Sequence, residues 1–214
     1  MQIINVGCGM HPTPGARNID NSLSVSLGKR PALLAFVKRL RLLSGDQLAY
    51  AAFCRDHGIE RMSCAKLKFP DQSVDVVYTS HMLEHLTRAL VHDFLMEAKR
   101  VLKPGGILRV AVPDMRLLVK QYLSDGDCDA LVEGTLLAYD GGGRFIKHVQ
   151  ALVTGFRGHR WMYDAASLTK LLLENGFTDI HVLAPGETTI PFETGIDLTE
   201  RAEESLYIEC RPAS

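Results

Sequence analysis

The sequence predicts an α/β fold: one seven-stranded, mostly parallel sheet with helices on both faces. Three observations carry this. Residues 74–113 read VDVVYTSHMLEHLTRALVHDFLMEAKRVLKPGGILRVAVP, which is an apolar strand, a polar elbow, an amphipathic helix and a second apolar strand. A strand, helix, strand run of this length is a right-handed crossover between parallel strands. At the start, the apolar run Gln2–Val6 leads straight into Gly7-Cys8-Gly9. Further strand-like runs recur at 17–20, 59–64, 178–183 and 205–210, spaced by helical patterns.

The elements follow in order. Gln2–Val6 is the first strand, and Arg17-Asn18-Ile19-Asp20 is a short second strand ending in an acid. Residues 31–43 predict an amphipathic helix that buries Leu33, Phe36, Val37, Leu40 and Leu43. Residues 46–57 predict another helix, and Ile59–Cys64 the third strand. Val74–Tyr78 is the fourth. In the helix after it, Val91, Phe94, Leu95, Ala98, Val101 and Leu102 keep the 3.6-residue period of one buried face. Lys103-Pro104-Gly105-Gly106 ends that helix, because Pro cannot continue it and Gly accepts a left-handed turn. Ile107–Val112 is the fifth strand, and 115–124 a helix. Asp164 caps a helix that buries Leu168, Leu171 and Leu172, and Gly176 stops it. The whole reads as a single domain, 1–214, with insertions at about 23–60 and 128–160, the latter carrying a Gly141-Gly142-Gly143 hinge.

Composition narrows the function. A chain of 214 residues with 46% hydrophobic content buries a normal core. Its 24 basic and 25 acidic residues argue against nucleic acid as a partner. No apolar run approaches a membrane span, and the chain enters its first strand at once, so neither an anchor nor a signal peptide is expected. The five cysteines, Cys8, Cys54, Cys64, Cys128 and Cys210, are scattered and form no CxxC pair. They read as reduced thiols of a cytoplasmic protein.

In parallel sheets ligands sit beyond the carboxyl ends of the strands. Two such ends stand out, Gly7-Cys8-Gly9 and Ser80-His81. The glycine turn lets backbone approach a ligand closely. A dinucleotide fingerprint needs a third glycine three residues after the second, and Pro12 stands there, so the nicotinamide reading fails. Asp20, at the tip of the second strand, is placed to accept hydrogen bonds from a ribose diol.

Together these residues resemble the class I S-adenosylmethionine-dependent methyltransferases. The nearest type is the small methyltransferases related to ubiquinone biosynthesis, many of which are encoded with bacterial glycan genes. The matching pieces are NVGCG at 5–9, NID at 18–20, LKFPDQSVDVVYTSHMLEHL at 67–86, RVLKPGGILRVAVPD at 100–114 and HRWMYDAASLTKLLLENGF at 159–177. The resemblance implies a Rossmann-like sheet and S-adenosyl-L-methionine as cofactor. Carried over, the cofactor residues are Asn5, Gly7, Cys8, Gly9, Asp20, Ser80 and His81. The sequence departs from the family in two places. Met10–Ala16, with Pro12, Pro14 and Gly15, is too short for the usual first helix, so the first crossover is shortened. The family's adenine-side acid after strand three is missing from Ser63-Cys64-Ala65, where Ala65 offers backbone only.

The expected acceptor is a small molecule or a sugar or glycan hydroxyl. A hydroxyl needs a base, and histidine suits neutral pH. His159, opening GHRWMYD, and His81 are the candidates, with His148 and Asp140 as alternatives for the same role. Trp161 and Tyr163 are candidate walls of the acceptor pocket. Lys29, Arg30, Lys38, Arg39 and Arg41 form a run without acids that would suit peripheral contact with a membrane surface, or else a solvated helix face. Two rival readings remain. One is a cofactor-binding partner subunit without turnover. The other takes His81-Met82-Leu83-Glu84-His85 as the H-x-x-E-H zinc-peptidase motif. That motif normally sits inside a long helix, whereas here it lies at an elbow with no third ligand in view, so no metal is expected. On the preferred reading Leu83 packs into the core, and Glu84 and His85 hydrogen-bond loop backbone near the cofactor.

Overall fold

The structure, a computed structural model, describes residues 1–40, 42–137 and 158–213. At its centre is a seven-stranded sheet. The strands are β1 Ile3–Val6, β2 Arg17–Asp20, β3 Glu60–Arg61, β4 Val74–Ser80, β5 Leu102–Pro113, β6 Phe177–Leu183 and β7 Ser205–Pro212. Their order is β3-β2-β1-β4-β5-β7-β6. Pairings from β3 across to β5 are parallel, and β7 is antiparallel to both of its neighbours. The chain runs outward from β1 to β3, then returns to β4 on the other side of β1. A crevice opens at this switch, between the carboxyl ends of β1 and β4.

Among the described residues the helices are α1 Leu23–Gly28, α2 Pro31–Arg39, α3 Gly45–Asp56, α4 Arg88–Val101, α5 Met115–Asp125, α6 Cys128–Thr135 and α7 Ala165–Glu174, with a 3₁₀ turn at Leu83–His85. Their starts are set by local chemistry. Thr87 caps α4 by accepting from the Leu90 amide, and Asp164 forms a capping box with Ser167 at the head of α7. The apolar stripe of α4, Val91, Phe94, Leu95, Ala98 and Val101, is buried as its period requires. Leu102 pairs with Val74 and Ile107 with Val76, so Lys103–Gly106 bulges out between them, with Gly105 at φ 75°.

The first crossover contains no helix. Side-chain amides hold the loop in its place. Asn5 Nδ2 donates to the His11 carbonyl and to Thr13 Oγ1, both at 3.0 Å. Asn18 Oδ1 accepts from the Thr13 amide at 2.8 Å, and Asn18 Nδ2 returns a bond to the Thr13 carbonyl at 3.1 Å. Asn5 is therefore an organiser of the loop as well as a neighbour of the crevice.

Two expectations need correction. The third strand is confined to Glu60–Arg61, because the Met62 amide turns to the Asp20 carbonyl and a tight Ser63–Lys66 bridge follows. The helix at 31–43 forms as α2, but its apolar face is not buried: Phe36 is 58% and Leu40 50% exposed. α1 lies directly on α3, where a Cβ on Gly28 would strike the Ala51 carbonyl, and α2 is left outside this pair. Arg41, Asp140, Gly141–Gly143 and His148 lie outside the described residues. Among the described residues no helix is long and apolar enough to cross a membrane.

Candidate active site

The crevice at the β1/β4 switch holds two adjoining cavities. The larger, about 650 Å³, runs from Gly7 and Asp20 to the side chains of His85, Leu136 and His159. The smaller, about 170 Å³, lies over Asn5, Cys8, Gly9 and Ser80. Gly7, His81 and Arg201 border both.

Gly7 and Gly9 take positive φ, 76° and 51°. A Cβ at Gly7 would press on Met82 Sδ at 2.6 Å, whereas at Gly9 nothing lies within 4 Å. The first glycine thus admits the Met82 side chain, and the second leaves open space. The amides of this turn are already used: Gly7 and Cys8 donate to the Ile19 carbonyl, and Gly9 donates to Asp20 Oδ2 at 3.2 Å. Asp20 Oδ1 accepts from the Ser22 amide at 2.7 Å. Each oxygen keeps a further lone pair for a ligand hydroxyl. The Cys8 thiol is buried and pushed well above the usual range by that burial and by Asp20.

Met62, Ser63 and Cys64 form the wall on the β3 side of the larger cavity. Ala65, expected there, is not in the lining, and its amide bonds back to Ser63 Oγ at 3.3 Å. Burial raises the Cys64 thiol to about 11, so it is an apolar contact rather than a nucleophile. Valine, methionine and leucine side chains (Val6, Met82, Leu86, Leu90) supply the remaining apolar surface. A carboxylate at a strand end, open glycine backbone and an apolar wall of this volume suit the nucleoside end of S-adenosylmethionine.

His81 sits in the left-handed region, φ 49°, at the tip of β4. Its Nε2 lies 2.8 Å from Ser205 Oγ, and its Nδ1 lies 2.7 Å from Arg201 Nη1. A guanidinium only donates, so Nδ1 accepts, which leaves His81 without a spare lone pair. Arg201 carried no sequence signal. It comes from the connection between β6 and β7 and brings a cation to the junction of the two cavities.

Glu84 and His85 occupy the 3₁₀ turn, not a long helix, so the peptidase geometry is absent. Leu83 is fully buried in the core, as expected. His85 Nδ1 lies 3.0 Å from the Gly158 carbonyl, also as expected. Glu84 departs from expectation: its carbonyl accepts from the Arg160 and Trp161 amides, but its buried carboxylate accepts no hydrogen bond. His159 is buried against this group, with its ring 5.0 Å from that of His85 and edge-on to it. Burial holds the His159 imidazole below its ordinary value, partly countered by Glu84. Tyr163, a candidate wall, is instead in the main core, and burial raises its phenol. Trp161 is 47% exposed and lies over the Arg88 guanidinium at 5.0 Å, outside both linings.

Residues 41–110 match the family model described as a methyltransferase domain. No curated protein matches the sequence significantly. Among solved structures, an S-adenosylmethionine-dependent methyltransferase of Thermotoga maritima superposes with a TM-score of 0.52 at 16% identity, over 98% of this chain and 81% of that one. A complex of DhpI with S-adenosylhomocysteine superposes at 0.50 and 15% identity, over 99% and 76%. An S-adenosylmethionine-dependent methyltransferase of Mesorhizobium loti superposes at 0.48 and 19% identity, over 98% and 90%. The fold is that of the class I methyltransferases, and residues 41–110 carry the pattern of a methyltransferase domain.

Proposed function

We propose that the enzyme methylates a hydroxyl of a small molecule or sugar, with the acceptor held at the histidine-lined end of the larger cavity. The observation that carries this is continuity: one cavity joins Gly7 and Asp20 to His85 and His159. When bound, S-adenosylmethionine supplies an electrophilic methyl on a sulfonium. The chain's own residues do the rest. Asp20 accepts the ribose hydroxyls, and the apolar wall of Met62 and Cys64 covers the base. With the turn amides taken up internally, Arg201 meets the negative charge of the cofactor's carboxylate. His81 is a positioning residue, locked between Arg201 and Ser205. His159, with His85 beside it, serves removal of the acceptor proton. Alignment of the reacting atoms supplies most of the acceleration, worth roughly 7–11 kcal/mol where the geometry is ideal.

A second element of the proposal is peripheral contact with an anionic lipid surface through α2. Residues 23–43 contain no acid, and Lys29, Arg30, Lys38 and Arg39 flank an apolar face that is exposed among the described residues. Basic flanks with an uncovered apolar stripe match such a surface in both charge and hydropathy.

The acceptor is tested with methyl-labelled cofactor and a panel of sugars, phenols, amines and thiols. Label in O-methyl products, lost in His159→Ala with cofactor affinity retained, is the expected result. Label confined to amines or thiols would overturn the hydroxyl assignment.

A further inference from the structure

We infer that Glu84, His85 and His159 form a site for one divalent transition-metal ion at the acceptor end of the cavity. Its chemical role rests on the hydroxyl reading above, but its presence does not.

The Glu84 side chain is 0% exposed, and neither carboxylate oxygen accepts a hydrogen bond. An ionised carboxylate in such a place needs a compensating positive charge. The groups set against its Oε1 are two histidines, His81 Nδ1 at 3.4 Å and His85 Nε2 at 3.8 Å. His81 Nδ1 does not donate, because it already accepts from Arg201. His85 Nδ1 faces the Gly158 carbonyl at 3.0 Å, and a carbonyl only accepts, so Nδ1 carries a hydrogen and Nε2 is the nitrogen left for a ligand bond. Nε2 is turned toward the Glu84 carboxylate, and His159 closes the group, so three metal-ligating side chains converge on one point.

The three ligand atoms all lie within 4.8 Å of one another. Bonds of about 2.1 Å to a tetrahedral ion place ligands roughly 3.4 Å apart. A small inward rotation of the side chains meets that distance. Two imidazoles with one carboxylate select zinc, manganese or iron over calcium or magnesium. The bond from His85 Nδ1 to a backbone carbonyl is the outer support that metal-binding histidines carry. His85 and His159 also line the cavity, so the remaining coordination positions face the acceptor. The set differs from that of a zinc peptidase, since Glu84 is a ligand and His81 is not.

The ion takes the acceptor oxygen as a ligand and makes its hydroxyl more acidic, and the proton passes to solvent. The oxygen then forms its bond to the methyl carbon, and the carbon–sulfur bond breaks with its electron pair going to sulfur. The products are the methyl ether and S-adenosylhomocysteine, and the oxidation state of the ion does not change. His159 thereby serves proton removal through the ion instead of as a free base.

The test uses full-length protein. Its metal content is measured after purification without chelator, and the stripped protein is titrated calorimetrically with zinc and manganese chlorides. One site per chain is expected, weakened by about 100-fold or more in His85→Ala and in His159→Ala, and unchanged in the exposed His181→Gln. The ion should raise the melting temperature of the wild type but not of Glu84→Gln; if that variant does not fold, the two histidine variants carry the test. Absence of stoichiometric binding at millimolar ion, or undiminished binding in both histidine variants, overturns the site. Ion binding without methylation of any hydroxyl keeps the site and discards the acceptor reading. O-methylation undiminished by chelation keeps the acceptor reading and overturns the ion's role.

Discussion

Arg109 and Glu209 face each other across β5 and β7, fully buried, with Nη1 2.6 Å from Oε1. The pair also clamps the connection between β6 and β7. Arg109 donates to the Glu187 and Leu198 carbonyls, and Glu209 accepts from Thr188 and from the amide and hydroxyl of Thr189. That connection carries Arg201 to the junction of the two cavities. A buried ion pair that lines neither cavity therefore holds the connection that carries this cation.

Glu209→Gln should destabilise the fold by about 3–5 kcal/mol, because it leaves the Arg109 charge buried without its counter-charge. Urea unfolding at neutral pH measures this. Burial pushes the Glu209 carboxyl up, but Thr189, Thr188 and the Arg109 guanidinium outweigh burial and hold it below the usual carboxylate range. A lowered folded-state value means stability that is complete above the ordinary glutamate range and lost as pH falls through the folded value. The gap between wild type and variant should therefore narrow in acid. A gap that stays constant from pH 7 to pH 3 would contradict this account of the pair.

Gly7→Ala should weaken cofactor binding. The left-handed φ at this position costs an L-residue roughly 1–2 kcal/mol. The added Cβ also displaces Met82, whose side chain lines the larger cavity. Gly9→Ala meets no atom within 4 Å and should disturb the empty protein less. Thermal melts and cofactor titrations of both variants check the order. Equal effects on affinity and melting would show that Met82 is not the reason for the glycine.

Wild-type protein should co-sediment with vesicles rich in anionic lipid and not with neutral ones. Lys38→Glu with Arg39→Glu should abolish this, as each basic group near such a surface contributes about 1 kcal/mol. Phe36→Ser should weaken it while leaving the melting temperature nearly unchanged, because Phe36 is already exposed. Equal sedimentation with neutral vesicles would remove charge as its basis.

The segment from Val74 to Pro113 was legible because its signals are local: apolar strands, a helical period, and a proline-glycine stop. The face of α2 was misjudged because periodicity tells which residues share a side, not what covers that side. The third strand was overestimated because Met62 bonds to Asp20 and then turns, a tertiary event with no local sign. The glycine turn and Asp20 meet at one cavity, a juxtaposition that their strand-end positions in the sequence predict. His85 and His159 are far apart in sequence, and backbone bonds with no local sign bring them together: the Gly158 carbonyl on His85, and the Arg160 and Trp161 amides on the Glu84 carbonyl. Arg201 lies in a connection without any motif, delivered by Arg109 and Glu209. Tyr163 followed a pattern shared by pocket walls and cores, and packing put it in the core.

The central claim is a cofactor held between the glycine turn and Asp20, and calorimetric titration with S-adenosylhomocysteine tests it most directly. The account predicts one molecule bound per chain. Asp20→Asn should weaken binding by about 10- to 100-fold, roughly 1.4–2.7 kcal/mol, as the ribose hydroxyls lose a charged acceptor. No heat of binding in the wild type, or the same affinity in Asp20→Asn, would contradict it.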